Sequence, residues 1–208
     1  MSIAEKLTTV AENTPKVFEA GQRAERERFW DNCLKYVSAW TYRFAGYGWN
    51  DETFQPTKDI VVTGSANGMF RETAIVDLAK CLADNNVVLD LSGATNTNYL
   101  FGYSSDIKHI SMKISEPNEV SGVTFTSSSF QSATKITTLS ITGILATNGL
   151  DLHWSTKLEK ESILGILDIL QDKTSVGGTW TVTLGPENLA KLTDAEKAVA
   201  TQKGWTLV

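Results

Sequence analysis

The residues of this 208-residue chain that could do chemistry are two histidines, His109 and His153, two cysteines, Cys33 and Cys81, and a scatter of carboxylates. The histidines stand far apart, with no His-Glu-x-x-His motif and no cysteine cluster beside them, so no zinc site is expected. Cys33 and Cys81 lie in different segments without metal-ligand spacing, and reduced, mostly buried thiols are the expectation. No Gly-x-Ser-x-Gly elbow exposes a nucleophilic serine. Glycoside hydrolysis needs two carboxyl groups facing each other across a sugar, and nothing in the spacing of Asp90, Asp106, Glu116 and Asp151 selects two of them. Asp51 and Glu52 are adjacent and point apart in an extended chain. Gly64-Ser-Ala-Asn-Gly68 has no Lys-Ser/Thr after it and matches no dinucleotide fingerprint, so it reads as a turn rather than a phosphate loop. His153 beside Trp154 reads as a hydrogen-bonded structural histidine or a pocket residue. The expectation is a non-enzymatic protein with no catalytic residue, no cofactor and no metal.

What organises the chain is a repeat between Leu89 and Gly143. Phe101 is followed by Ile107, Ile110 and Met112, and Phe130 by Ile136, Leu139 and Ile141 at the same offsets. A looser copy precedes them: Phe70, with Ile75 and Leu78 each one residue early. A period in this range marks stacked repeats. Each copy reads as a Phe-bearing turn followed by a brief strand, Ile110–Ile114 or Leu139–Ile141. Alternation in the strand turns one face inward, where the neighbouring coil covers it, because a single coil cannot bury its own apolar face. The fold class expected is α+β: N-terminal helices, then a short leucine-rich-repeat-like β-solenoid, then a helix and strand cap.

Net charge is −5, which provides no basic field for nucleic acid or anionic lipid. The longest apolar-rich run, Ile163 to Leu170, is broken by Gly165 and Asp168 and is too short to cross a bilayer. No signal peptide is visible, so folding in the cytoplasm is expected.

Three segments follow from the pattern: 1–38 helical, 39–155 repeats with an aromatic N-terminal cap, and 156–208 a C-terminal capping unit. Ser2 and Glu5 form a capping box ahead of Ile3, Leu7 and Val10. Thr14-Pro15 starts a second helix reaching about Val37, its apolar residues gathered at Phe29, Trp30, Leu34 and Val37. This helix is either a docking or bundling arm or a solvated helix whose last turns pack on the repeats. Trp40 to Phe54 is dense in aromatics, which can close the first coil or offer a stacking platform. Ile75 to Ala83 has helical spacing, and Val87 to Leu91 reads as a strand. Between 121 and 142, twelve of 22 residues are Ser or Thr, which suits narrow coils with solvated outer faces. Asp151–Ser155 reads as a last strand. Thr156 and Glu159 cap a helix striped by Leu158, Ile163, Ile166, Leu167 and Leu170. Thr179–Leu184 is a strand, Gly185-Pro186 opens a short helical segment, and Thr193 with Glu196 caps a helix that ends at Gly204 before a final strand.

The repeat Phe-x5-Ile-x2-Ile/Leu-x-Met/Ile resembles the BspA-type leucine-rich repeats of bacterial surface proteins. The order of segments is similar to proteins encoded by bacteriophages and prophages of gut Firmicutes. The resemblance is carried by Ile3–Leu7, Phe18–Gly21, Phe29-Trp30-Asp31 and Gly68-Met-Phe70. The closing part adds Trp154–Leu158, Trp180–Gly185, Asn188–Glu196 and Lys203-Gly-Trp205. The coils depart from the bacterial pattern at the usual cysteine after the Phe turn, where Tyr103-Ser104 and Ser132-Ala133 stand instead. The resemblance implies a virion structural protein of the tail, baseplate or a fibre, folded in the host cytoplasm. It would attach to other virion proteins through Ile3, Leu7, Val10, Val17, Phe18, Phe29, Trp30 and Leu34, with a homotrimer the favoured oligomer. Its repeats would face a host cell-surface glycan or protein, with neither nucleic acid nor membrane as partner. A secreted adhesin, a head decoration protein and a carbohydrate-active enzyme are the alternative readings.

Overall fold

The computed structural model describes residues 21, 24–30 and 40–208. The chain divides into two compact units, Met1–Val37 and Ser38–Val208. In the first, residues 24–30 are helical, and the half-exposed Phe29 meets the buried Trp30 edge-on at 5.9 Å. Ile3, Leu7, Val10, Val17, Phe18 and Leu34, Cys33, and the capping boxes and helix ends expected before residue 38 lie outside the described residues.

The second unit mixes α and β. A four-stranded parallel sheet runs β1 (Ile60–Ser65), β2 (Leu89–Asn96), β3 (His109–Lys113) and β4 (Thr138–Thr142), with neighbours in the sheet consecutive in sequence. β3 pairs with β4 without slippage from His109↔Thr138 to Lys113↔Thr142, a constant offset of 29 residues. β1 pairs with β2 from Ile60↔Leu89 to Ser65↔Asn96 with two bulges. β2 and β3 meet only at Asp90↔Lys113, where Lys113 Nζ also reaches the Asp90 carboxylate at 2.9 Å.

A column of phenylalanines fixes this stacking. Phe44, Phe70, Phe101 and Phe130 are fully buried, and successive ring centroids lie 5.3, 5.3 and 5.4 Å apart. The backbone repeats with them: the amides of Phe44, Phe70 and Phe101 donate to the carbonyls of Met69, Leu100 and Ser129, each at 2.8 Å. Each turn thus hands its amide to the next one along, so that polar backbone inside the stack is satisfied without helix or strand. Each offset-stacked pair adds about 0.5–1.5 kcal/mol beyond the area it buries. Ile75, Leu78, Ile107, Ile110, Met112, Ile136 and Leu139 are buried beside the column, while Ile141 is only half-buried.

The aromatic stretch before β1 extends this column. Trp40, Phe44 and Phe54 are buried, Phe54 packing edge-on against both Phe44 and Phe70 at 5.1 and 5.7 Å. Tyr42 and Tyr47 stay exposed.

Several local readings shift. β1 runs into the expected turn at Gly64–Gly68 and takes up Gly64 and Ser65, and its alternation (Ile60 and Val62 buried, Val61 and Thr63 exposed) is too short to stand out in sequence. Helix α1 spans Leu78–Asp84 rather than starting at Ile75. The Asp51 carboxylate takes the amides of Val76 and Asp77 at 2.7 and 3.2 Å, and Asp77 then caps the helix through Lys80 N. Asp151–Ser155 is no strand: Asp151 makes one bridge to Thr183, and a turn follows, with the Asp151 carboxylate on the His153 amide. The Thr156–Glu159 capping box does not form. Helix α2 is Lys160–Asp168 with Glu159 at its N-cap, because the Glu159 amide is drawn to the Thr137 carbonyl at 2.8 Å.

The C-terminal elements are β5 (Trp180–Val182), α3 (Pro186–Leu189), α4 (Asp194–Gln202) and β6 (Trp205–Leu207). β5 and β6 form a parallel pair, and the Thr193–Glu196 capping box of α4 is complete. Asn188 anchors this segment. It is fully buried, and its Nδ2 donates to the carbonyls of Leu152, Ser155 and Leu184 at 3.4, 3.2 and 2.9 Å.

Candidate functional site

The carboxylates considered for acid–base work are each paired with a basic side chain, Asp90 and Glu116 with the same one. Asp90 and Glu116 pair with Lys113, Asp106 with Lys135 at 2.7 Å, and Asp151 with His153 Nδ1 at 2.6 Å. Burial pushes the Asp90 carboxyl upward, but Ser92 and Lys113 outweigh it and hold the pKa below the ordinary value. Such a group stays ionised and is a poor proton donor near neutrality. Asp51 is used up on the Val76 and Asp77 amides, and Glu52 is exposed. His109 Nδ1 bonds the Thr138 hydroxyl at 2.6 Å across the β3–β4 ladder. Cys81 is buried, and that burial first, with Asp51 nearby, pushes its thiol up to about 11. A thiol so poised is an inert core residue at neutral pH. Among the described residues no cluster of three or more His, Cys, Asp or Glu could hold a metal ion. No described helix is long and apolar enough to cross a membrane.

The groups that converge at the surface lie on the Phe-bearing turns instead. Tyr42 and Tyr99 stand two residues before Phe44 and Phe101, and Glu72 and Tyr103 two residues after Phe70 and Phe101. A buried Phe at the centre of a turn sends its second neighbours outward on both sides. Two of these outward rings belong to one turn, on either side of Phe101. Tyr99 and Tyr103 lie nearly parallel, 19° between planes and 6.1 Å between centroids. The Arg71 guanidinium, from the adjacent turn, sits 5.5 Å from the first ring and 5.1 Å from the second. Its Nε donates to Glu72 at 3.0 Å. The Tyr42 hydroxyl beside it, more than Glu72, raises the Arg71 pKa above its ordinary value, so the charge is permanent. The Tyr42 ring covers the backbone of Gly68, where a β-carbon would collide with it. Tyr42 is 47% and Tyr103 37% exposed.

This is a platform of three phenols around one cation and one carboxylate. It can stack against a flat or ring-shaped ligand and hydrogen-bond its edge. Sequence reasoning centred on the buried residues Phe70, Phe101 and Phe130, which hold the platform up, and passed over Arg71, Tyr99 and Tyr103 as binding groups. The available signal was Tyr-x-Phe, which occurs as Tyr42-Arg-Phe44 and again as Tyr99-Leu-Phe101.

No protein-family model matches the chain, and no match to it is found among curated proteins or solved structures.

Proposed function

We propose that this chain is a non-enzymatic display protein whose repeat unit is a short leucine-rich-repeat-like solenoid. The observation that carries the reading is the Phe101–Phe130 stack combined with the unbroken 29-residue register of β3 on β4. The same 29-residue offset separates the Phe101 and Phe130 rings and the β3–β4 partners, as successive coils of one repeat would produce. In this reading Trp40 to Phe54 cover one end of the coils, and residues 156–208, anchored by Asn188, cover the other. Stacked coils hold outward side chains at fixed spacing, which suits recognition.

With the sequence resemblance, the setting proposed is a bacteriophage particle: a tail, baseplate or fibre-type component. The N-terminal helices would attach it to other virion proteins, with a trimer favoured, and the turns would face the host surface. Immunogold labelling of purified phage particles, alongside washed cells of the producing strain, tests this. Gold at a repeated position on the virion is the expected result. Label on cell walls alone would overturn the particle reading in favour of an adhesin. Deletion of residues 1–38 is expected to abolish incorporation, and unchanged incorporation would overturn the attachment role.

A further inference from the structure

We infer that Tyr42, Arg71, Glu72, Tyr99 and Tyr103 form a binding site for a neutral glycan, an inference that rests on the display reading for its biological setting. Tyr42, Gly68 and Tyr99 occupy one repeated turn position and share left-handed φ values of 54°, 61° and 53°. Glu72, Tyr103 and Ser132 occupy a second such position, at 56°, 59° and 58°. Glycine takes this conformation without steric cost and does so at Gly68, whereas a tyrosine there is an outlier. Tyr42 and Tyr103 are only partly covered, so each ring keeps a part open to a ligand. Left-handed non-glycine residues cluster at binding and active sites.

A sugar ring has a face of C–H groups and an edge of hydroxyls. The face stacks on an aromatic ring, which is apolar and electron-rich. The edge needs donors and acceptors side by side, which Arg71 and Glu72 present 3.0 Å apart with their charges cancelled. A site without net charge, on a chain of net charge −5, disfavours acidic polysaccharides and nucleic acid. Tyrosine and arginine also anchor protein partners, but such anchors sit in an apolar centre sealed from water. Here the turns that carry the site are bounded by the polar residues Asn67, Asn98 and Gln131, whose carbonyls bond the amides of Tyr42, Gly68 and Tyr103.

The test is an array of neutral glycans, with polygalacturonate as the acidic control, probed with the full-length chain and followed by titration calorimetry. The comparison is the double variant Tyr99→Gly/Tyr103→Gly. Glycine relieves the left-handed strain at both positions, so the variant should melt within about 3 °C of the parent. At least one neutral glycan should be retained by the parent and bound about tenfold or more weakly by the variant. Retention of no neutral glycan, retention of polygalacturonate alone, or equal affinity of the two proteins would overturn the site. So would a protein ligand lost in the variant with no glycan bound. The array reads the isolated chain, and gold labelling reads the particle. Labelled particles without glycan binding would sink this site alone, and glycan binding without labelling would sink the particle reading alone.

Discussion

The Ser104 hydroxyl donates a 2.5 Å hydrogen bond to the carbonyl of Phe70, 34 residues earlier, from a fully buried position. Ser104 stands three residues after Phe101, and Thr73 and Ala133 stand at the same distance after Phe70 and Phe130. Thr73 donates to a different earlier carbonyl, that of Trp49 rather than Phe44, at 3.2 Å, and Ala133 has no hydroxyl to donate. A hydroxyl in this position links one turn to its predecessor.

Ser104→Ala is therefore expected to destabilise the protein by about 1–3 kcal/mol, since the Phe70 carbonyl loses a buried donor. Ser104→Cys should fall between, filling the site with a larger atom that donates only weakly. Urea denaturation measures both, and an alanine variant as stable as the parent would refute the link.

Phe101 has a stacked ring on either side, so Phe101→Ala should cost about 3–5 kcal/mol. A double-mutant cycle with Phe70→Leu should return a coupling of roughly 0.5–1.5 kcal/mol. Strict additivity would mean that the rings act as independent core residues and not as a column.

Asn188→Ala should destabilise by about 1–3 kcal/mol. It removes the donor shared by the Leu152, Ser155 and Leu184 carbonyls, and the acceptor that Lys191 Nζ reaches at 2.8 Å. Amide hydrogen exchange should locate the loss in residues 184–208, with the Phe101–Phe130 turns unaffected. Uniform loss of protection across the chain would contradict an anchor that acts locally.

Glu196 supplies a pH dependence. The Lys160 ammonium first, then the Thr193 amide, lowers its pKa from the ordinary 4.5 to about 2. A depressed carboxylate stabilises the fold above its unfolded value, and that contribution fades as pH falls from about 4.5 towards 2. Melting temperatures of the parent and Glu196→Gln should thus converge across this acid window and differ above it. A gap that stays constant from pH 7 to pH 2 would rule out this linkage.

The sequence made the interior legible more than the surface. Phe101, Ile107, Ile110 and Met112 announced themselves because buried apolar residues recur with the period of the element that buries them. The same logic located α2, β5 and α4. It failed at β1, where four alternating residues ran into a Gly-rich stretch, and at the Thr156–Glu159 box, where a long-range bond from Glu159 to Thr137 outcompeted a local one. The acidic candidates were individually visible, but their partners were not. Lys113 reaches Asp90 across two strands and Lys135 reaches Asp106 across two turns, and neither meeting has a local signature.

By itself, then, the sequence determined the repeat spacing, the residues of the column and the turns that punctuate it, because these depend on local periodicity and burial. Only the tertiary structure decided that Arg71 lies against Tyr99 and Tyr103, that Ser104 holds Phe70, and that Asn188 joins the Leu152, Ser155 and Leu184 carbonyls. Those contacts join residues in neighbouring turns or segments. Their partners are chosen by how the turns and strands register in space, and a polar or strained side chain leaves no periodic trace of the neighbour it will meet.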